Sequence, residues 1–184
     1  SFSSFLRPCA ATRTPAVDGQ RADVKSSFSV GATPPSTGAS FEYRTERGWL
    51  QIRVPAPTVM VFEYHGHSDA SYAEFYERVI DDVFGDRDGL HFFIDTEAQT
   101  GFDRGFRKRI AECARKHEPR TLTYFVLVRS RVVAMGAAIV SLMVGGKTKV
   151  VSSRAEFEAQ LNAAIRRSLE EARSAEEAQS SPSA

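Results

Sequence analysis

The chain has 184 residues, of which 42% are hydrophobic and 26% charged, and it carries a net charge of +1. That length suits one domain of about 100 to 150 residues with tails. So even a balance gives no global reason to expect nucleic acid or an anionic membrane as the main partner.

Residues 1–40 are rich in Ser, Thr, Ala, Pro and Gly and close on Pro34-Pro35-Ser36-Thr37-Gly38. Such a stretch buries too little apolar surface to offset its ordering entropy, and it is expected to be disordered or loosely docked through Phe2, Phe5 and Leu6. Ser1 to Ala11 lacks the long apolar core of a secretory signal, and the longest apolar stretch, Val132 to Val144, is too short to span a bilayer. A cytoplasmic protein without stable membrane insertion is the expectation. Cys9 and Cys113 lie far apart, and Cys113 falls on the apolar side of a helix, so a buried thiol is expected.

The domain is expected to span 41–173. Trp49 to Val54 alternates, with Leu50, Ile52 and Val54 on one face, and Val59 to His65 follows as its hairpin partner across Pro55 and Pro57. Tyr72, Phe75, Tyr76, Val79, Ile80 and Val83 recur at helical spacing behind a Ser71/Glu74 capping box. Next comes Leu90-His91-Phe92-Phe93-Ile94, a run that reads as a strand buried on both faces and ending at Asp95. A polar loop is predicted from Asp95, with a second helix opening at Phe102 whose inner stripe is Phe102, Phe106, Ile110, Cys113 and His117. Phe93 and Phe106 are expected to meet between strand and helix. Leu122 to Val128 is a further buried strand, and Val132 to Met143 an apolar helix capped by Ser130. Thr148 to Val151 is a short strand, followed by a helix with a Ser153/Glu156 capping box and the stripe Phe157, Leu161, Ile165 and Leu169. Residues 174–184 read as a disordered tail.

The predicted order is β-β-α-β-α-β-α-β-α, an α/β fold with a mixed, mostly parallel five-stranded sheet and four helices. Ligands and partners of open α/β sheets meet the carboxyl ends of strands. Asp95, Thr96, Glu97, Gln99 and Thr100, with Arg104 and Arg107 one turn further, are therefore the predicted interaction surface. A second predicted surface is the apolar helix Val132–Met143, through which the chain would meet another copy or a regulator. Asp95 and Glu97 form a carboxylate pair without a nucleophile or phosphate loop beside them, so no catalytic residue is assigned. His65, His67 and Asp69 have the types and proximity of metal ligands, which leaves a metal-dependent hydrolase as a remote alternative. Strand-end and turn chemistry is the preferred reading there, and no metal or cofactor is predicted. The basic helix Arg104 to Lys116 lacks the aromatic interleaving of a single-strand binder, and no nucleic-acid partner is expected.

From Trp49 to Leu169 the chain resembles the STAS superfamily, the sulfate-transporter and anti-sigma-factor-antagonist domains, and its SpoIIAA-like relatives. The resemblance is carried by three places: the strand ending in Asp95, the strand Tyr124 to Val128 followed by Ser130 and a small-residue helix, and Lys147 to Leu161. It implies a STAS-like, non-enzymatic regulatory module that works by protein–protein interaction. SpoIIAA-like relatives also imply an alternative, the binding of a lipid or small ligand. In the antagonist branch a serine within Asp-Ser-Ser-Gly, at the start of the second helix, is phosphorylated. Here the stretch reads Ala98-Gln99-Thr100-Gly101; with Gly101 as the matching glycine, Gln99 stands in place of that serine and Ala98 in place of the aspartate. Thr100 alone keeps a hydroxyl. It is read as a helix N-cap, with phosphorylation as the lesser alternative.

Overall fold

The computed structural model describes residues 37–129 and 146–180. Its sheet has six strands in sequence order: β1 (Ala39–Thr45), β2 (Gly48–Ala56), β3 (Val59–Ser68), β4 (Leu90–Phe102), β5 (Thr121–Leu127) and β6 (Thr148–Val151). The first three pair antiparallel, and β3 through β6 pair parallel. Three helices are present among the described residues: α1 (Ala70–Phe84), α2 (Arg104–His117) and α3 (Arg154–Ser180). The expected five strands are thus corrected to six, and three of the four expected helices fall on described residues. The predicted helix Val132–Met143 lies outside the described residues, as do Phe2, Phe5, Leu6 and Cys9.

The added strand, β1, starts within the stretch assigned to the N-terminal segment. Phe41 and Tyr43 pack against the core while Ser40, Glu42 and Arg44 are exposed. Its polar face is water-facing at the sheet edge, where charge also discourages pairing with foreign strands. At the other end of the chain, α3 continues past Arg173 to Ser180. Leu169 to Gln179 are exposed except for the half-buried Ala172, and their Ala- and Glu-rich sequence favours helix.

Two cores lie on opposite faces of the sheet, and the doublet Phe92-Phe93 divides them because successive strand residues point to opposite sides. Phe92 joins Met60, Phe62, Tyr64 and Tyr124 beneath α1 and α2. Phe93 joins Val59, Val61, Phe125, Leu127 and Val151 beneath Phe157 of α3, stacking on Phe125 at 5.1 Å and meeting Phe157 edge-on at 5.6 Å. Phe106 belongs to the first core, where its ring meets Tyr64 at 5.7 Å. The expected meeting of Phe93 with Phe106 is therefore corrected, although both are buried. Cys113 is a free, buried thiol whose pKa is pushed up, chiefly by burial. It packs rather than reacts.

The two-faced core is testable by mutation. Phe92→Ala and Phe93→Ala should each cost about 3 to 5 kcal/mol in chemical denaturation. In double-mutant cycles built from milder Phe→Leu changes, Phe93 should couple to Phe157 by more than about 0.5 kcal/mol, and Phe93 with Phe106 should add within that margin.

Candidate functional site

The β3–β4 ladder is the longest parallel pairing of the sheet, running from Val59↔His91 to Ser68↔Phe102. The β4–β5 pairing stops earlier, at Asp95↔Leu127. Beyond Asp95, β4 therefore continues as an arm paired to β3 alone among the described strands. The predicted loop from Asp95 is corrected to a strand, and α2 opens at Arg104 rather than at Phe102. Polar side chains let the chain leave the core without leaving the sheet, because one ladder suffices to satisfy that edge.

Register shifts between Glu63/His65 and Gly66/His67 give the arm an irregular alternation. Gly66 takes a φ of +72°, and a Cβ there would stand 2.3 Å from the Arg47 carbonyl oxygen, so glycine is required where β2 and β3 approach. As a result the predicted surface residues part company. Thr96 and Gln99 are 5% exposed. The Thr96 hydroxyl donates to the Leu127 carbonyl at 2.5 Å, closing the end of β5, and the Gln99 amide donates to the buried Ser68 hydroxyl at 2.9 Å. Both brace the arm, so their assignment to a contact surface is corrected. Thr100, Arg104 and Arg107 are exposed.

Asp95 and Glu97 turn toward the start of α3. One Asp95 oxygen accepts the Glu97 amide at 3.0 Å and the other meets Arg154 Nη2 at 2.7 Å. Arg154 also donates through Nε to Glu97 at 3.0 Å and pairs with it through Nη2. A single guanidinium thus ties the arm to α3, in a fork geometry that suits two carboxylates. Beside it lies a groove of about 250 Å³ floored by Val61, Phe157 and Leu161 and rimmed by the Arg53–Glu63 ion pair, Asp95 and Glu158. Arg154 escaped the sequence reading because it stands 57 residues from Glu97 in the chain. Asp95 and Glu97 serve as anchor points for that arginine.

His65 stacks face to face on Trp49 at 3.7 Å, with the Arg44 guanidinium 5.4 Å from the Trp49 ring. His67 lies against Gly101, whose added Cβ would meet the ring 3.2 Å away at Nδ1. No cluster of three or more metal-ligating side chains occurs among the described residues. Asp69, the third residue of that sequence cluster, is the N-cap of α1 and accepts the Ser71 amide at 2.9 Å, which corrects the expected Ser71/Glu74 capping box. At α2 the cap is Asp103, accepting the Phe106 amide at 2.6 Å. Thr100 is two residues inside the strand end, so its expected capping role is corrected as well. At α3 the expected Ser153 cap is present, its hydroxyl accepting the Glu156 amide at 3.3 Å.

No family model and no curated protein matches the chain. Among solved structures it is similar to an uncharacterized protein of the DUF3478 family with a SpoIIAA-like fold from Shewanella loihica, at 11% identity and a TM-score of 0.48. The match covers 71% of this chain and 99% of that one. The likeness extends to no function. No helix among the described residues is long and apolar enough to cross a membrane.

The capping assignment has a direct readout. Asp103→Ala should lower stability by about 1 kcal/mol, while Thr100→Ala should stay within about 0.5 kcal/mol of the parent, both measured by urea denaturation. Loss of stability in the Thr100 variant alone would return the cap to Thr100.

Proposed function

We propose that the chain is a STAS-like regulatory module, non-enzymatic and cytoplasmic, that docks a protein partner where the β3–β4 arm runs into the first turn of α2. The observation that carries this reading is how the predicted surface divides. Asp95 and Glu97 are committed to Arg154, and Thr96 and Gln99 to bracing the arm. Thr100, Arg104 and Arg107 are exposed, and both arginines lack an ion-pair partner among the described residues. They stand on a strand and a capped helix turn, rigid elements that hold a contact surface without a large ordering cost on binding. Hydroxyl and guanidinium groups so presented suit hydrogen bonding to a partner's carboxylates. Phosphorylation of Thr100 would place a dianion within four residues of Arg104, which keeps it as a lesser reading of the same surface.

The alternative of a lipid or small apolar ligand finds less support. Two cavities of the described surface, of about 250 and 310 Å³, are walled largely by charged side chains, the second by Glu74, Glu77, Arg78, Asp81, Asp82 and Arg109. Such walls suit polar contacts more than an acyl chain.

Affinity capture from the source cell, run in parallel with the parent chain and an Arg104→Glu/Arg107→Glu variant, tests the docking surface. One protein should be enriched with the parent and lost with the variant, while the denaturation midpoint stays the same. Undiminished capture by the variant would place the docking surface elsewhere.

A further inference from the structure

The cations of α2 are sorted by direction. Arg109 and Lys116 face α1 and are paired: Arg109 lies 3.8 Å from Glu77 of α1 and 3.4 Å from Glu112 of its own helix, and Lys116 reaches Glu77 at 3.0 Å and Asp81 at 2.7 Å. Arg104, Lys108 and Arg115 are spaced by four and then seven residues, so they align along one outward stripe of the helix over about 16 Å, roughly a third of a turn round from the α1-facing pair. All three are exposed. Lys108 is 77% exposed and touches acid only at the 4.0 Å limit, at Glu112. Arg104 and Arg115 form no ion pair among the described residues; the Arg115 side chain donates instead to the Ala111 carbonyl. A chain of near-zero net charge thus holds a cationic stripe, one helix wide, whose only acidic contact among the described residues is that of Lys108 with Glu112.

The surroundings of the stripe select among anions. On α1, next to α2, Glu77 and Asp81 are taken up by Arg109 and Lys116, while Glu74 and Asp82 add carboxylates that form no ion pair among the described residues. A broad anionic surface, such as a membrane or a duplex, would meet those carboxylates at the same time and be repelled. A single helix does not. Carboxylates repeating at helical spacing along one partner helix would match Arg104, Lys108 and Arg115 without reaching across to α1.

We propose that the outward stripe of α2, Arg104, Lys108 and Arg115, seats an acidic helix of the partner protein. This rests on the docking reading above, since Arg104 belongs to both surfaces, and it adds the partner's chemistry and the direction in which it lies. Lys108 and Arg115 supply the independent handle, because neither belongs to the arm surface.

The probe is a fluorescein-labelled, Ala-rich helical peptide with Glu at every third or fourth position, titrated with the full chain by fluorescence anisotropy at low and at physiological salt. The peptide should bind at low salt, weaken as salt rises, and weaken by about tenfold or more with the Lys108→Glu/Arg115→Glu variant. Its Gln counterpart should not bind. The proposal is overturned if the acidic peptide fails to bind, or if the variant binds it as well as the parent does. It is equally overturned if phosphatidylserine vesicles or an oligothymidylate bind through Lys108 and Arg115 in preference to the peptide. Partner capture that depends on Arg104 and Arg107 while peptide binding ignores Lys108 and Arg115 would leave the docking reading standing and remove the acidic helix. Peptide binding that needs Lys108 and Arg115, with capture indifferent to Arg104 and Arg107, would do the reverse.

Discussion

Parallel pairing of β3 with β4 is the constraint from which the rest of the structure follows. Thirteen residues of β4 are held against ten of β3, well past the point where β5 ends. Within the common stretch the ladder sends Phe92 to one core and Phe93 to the other, and the helices on the two faces pack accordingly. Past that stretch it carries a polar arm that needs separate bracing. Thr96 on the Leu127 carbonyl, Gln99 on Ser68 and Arg154 on Asp95 and Glu97 supply it. The first satisfies the last carbonyl of β5, and the other two pair polar side chains that would otherwise be left to water.

The arm also decides what is exposed. It delivers Thr100 to the surface and brings the chain to Asp103, whose carboxylate caps α2 and fixes the direction of Arg104 and the residues after it. Because α2 is tied to α1 through Arg109 and Lys116, its rotation about its own axis is set, and with it the outward direction of Arg104, Lys108 and Arg115. Surface chemistry at the helix is in this sense a consequence of strand pairing several residues earlier.

The sequence made the interior legible and its borders less so. Alternation at Leu50, Ile52 and Val54 and the helical spacing from Tyr72 to Val83 reflect burial, and those residues are buried. The same signal failed at β1, where Phe41 and Tyr43 alternate with charges immediately after a Ser- and Pro-rich stretch that hides them. It failed again after Ile94, since a strand paired on one side tolerates the polar residues that otherwise mark a loop. Two adjacent phenylalanines give no sign of which face each takes, so the sequence does not show that Phe93 packs on Phe157 and not on Phe106. Arg154, distant in the chain, left no local signal at all, and the caps at Asp69 and Asp103 competed with nearby Ser71 and Thr100 that fit the same pattern.

Presentation of Thr100, Arg104 and Arg107 depends on the arm being strand rather than loop, and amide hydrogen exchange resolved by NMR measures that directly. Amides between Thr96 and Phe102 that face β3 should exchange slowly, with protection approaching that of Leu90 to Asp95, because opening them requires separating the ladder. Exchange throughout 96–102 at the rate of an unstructured peptide, with 90–95 still protected, would contradict it. The strand would then end at Asp95, and the platform that presents Thr100, Arg104 and Arg107 would not exist.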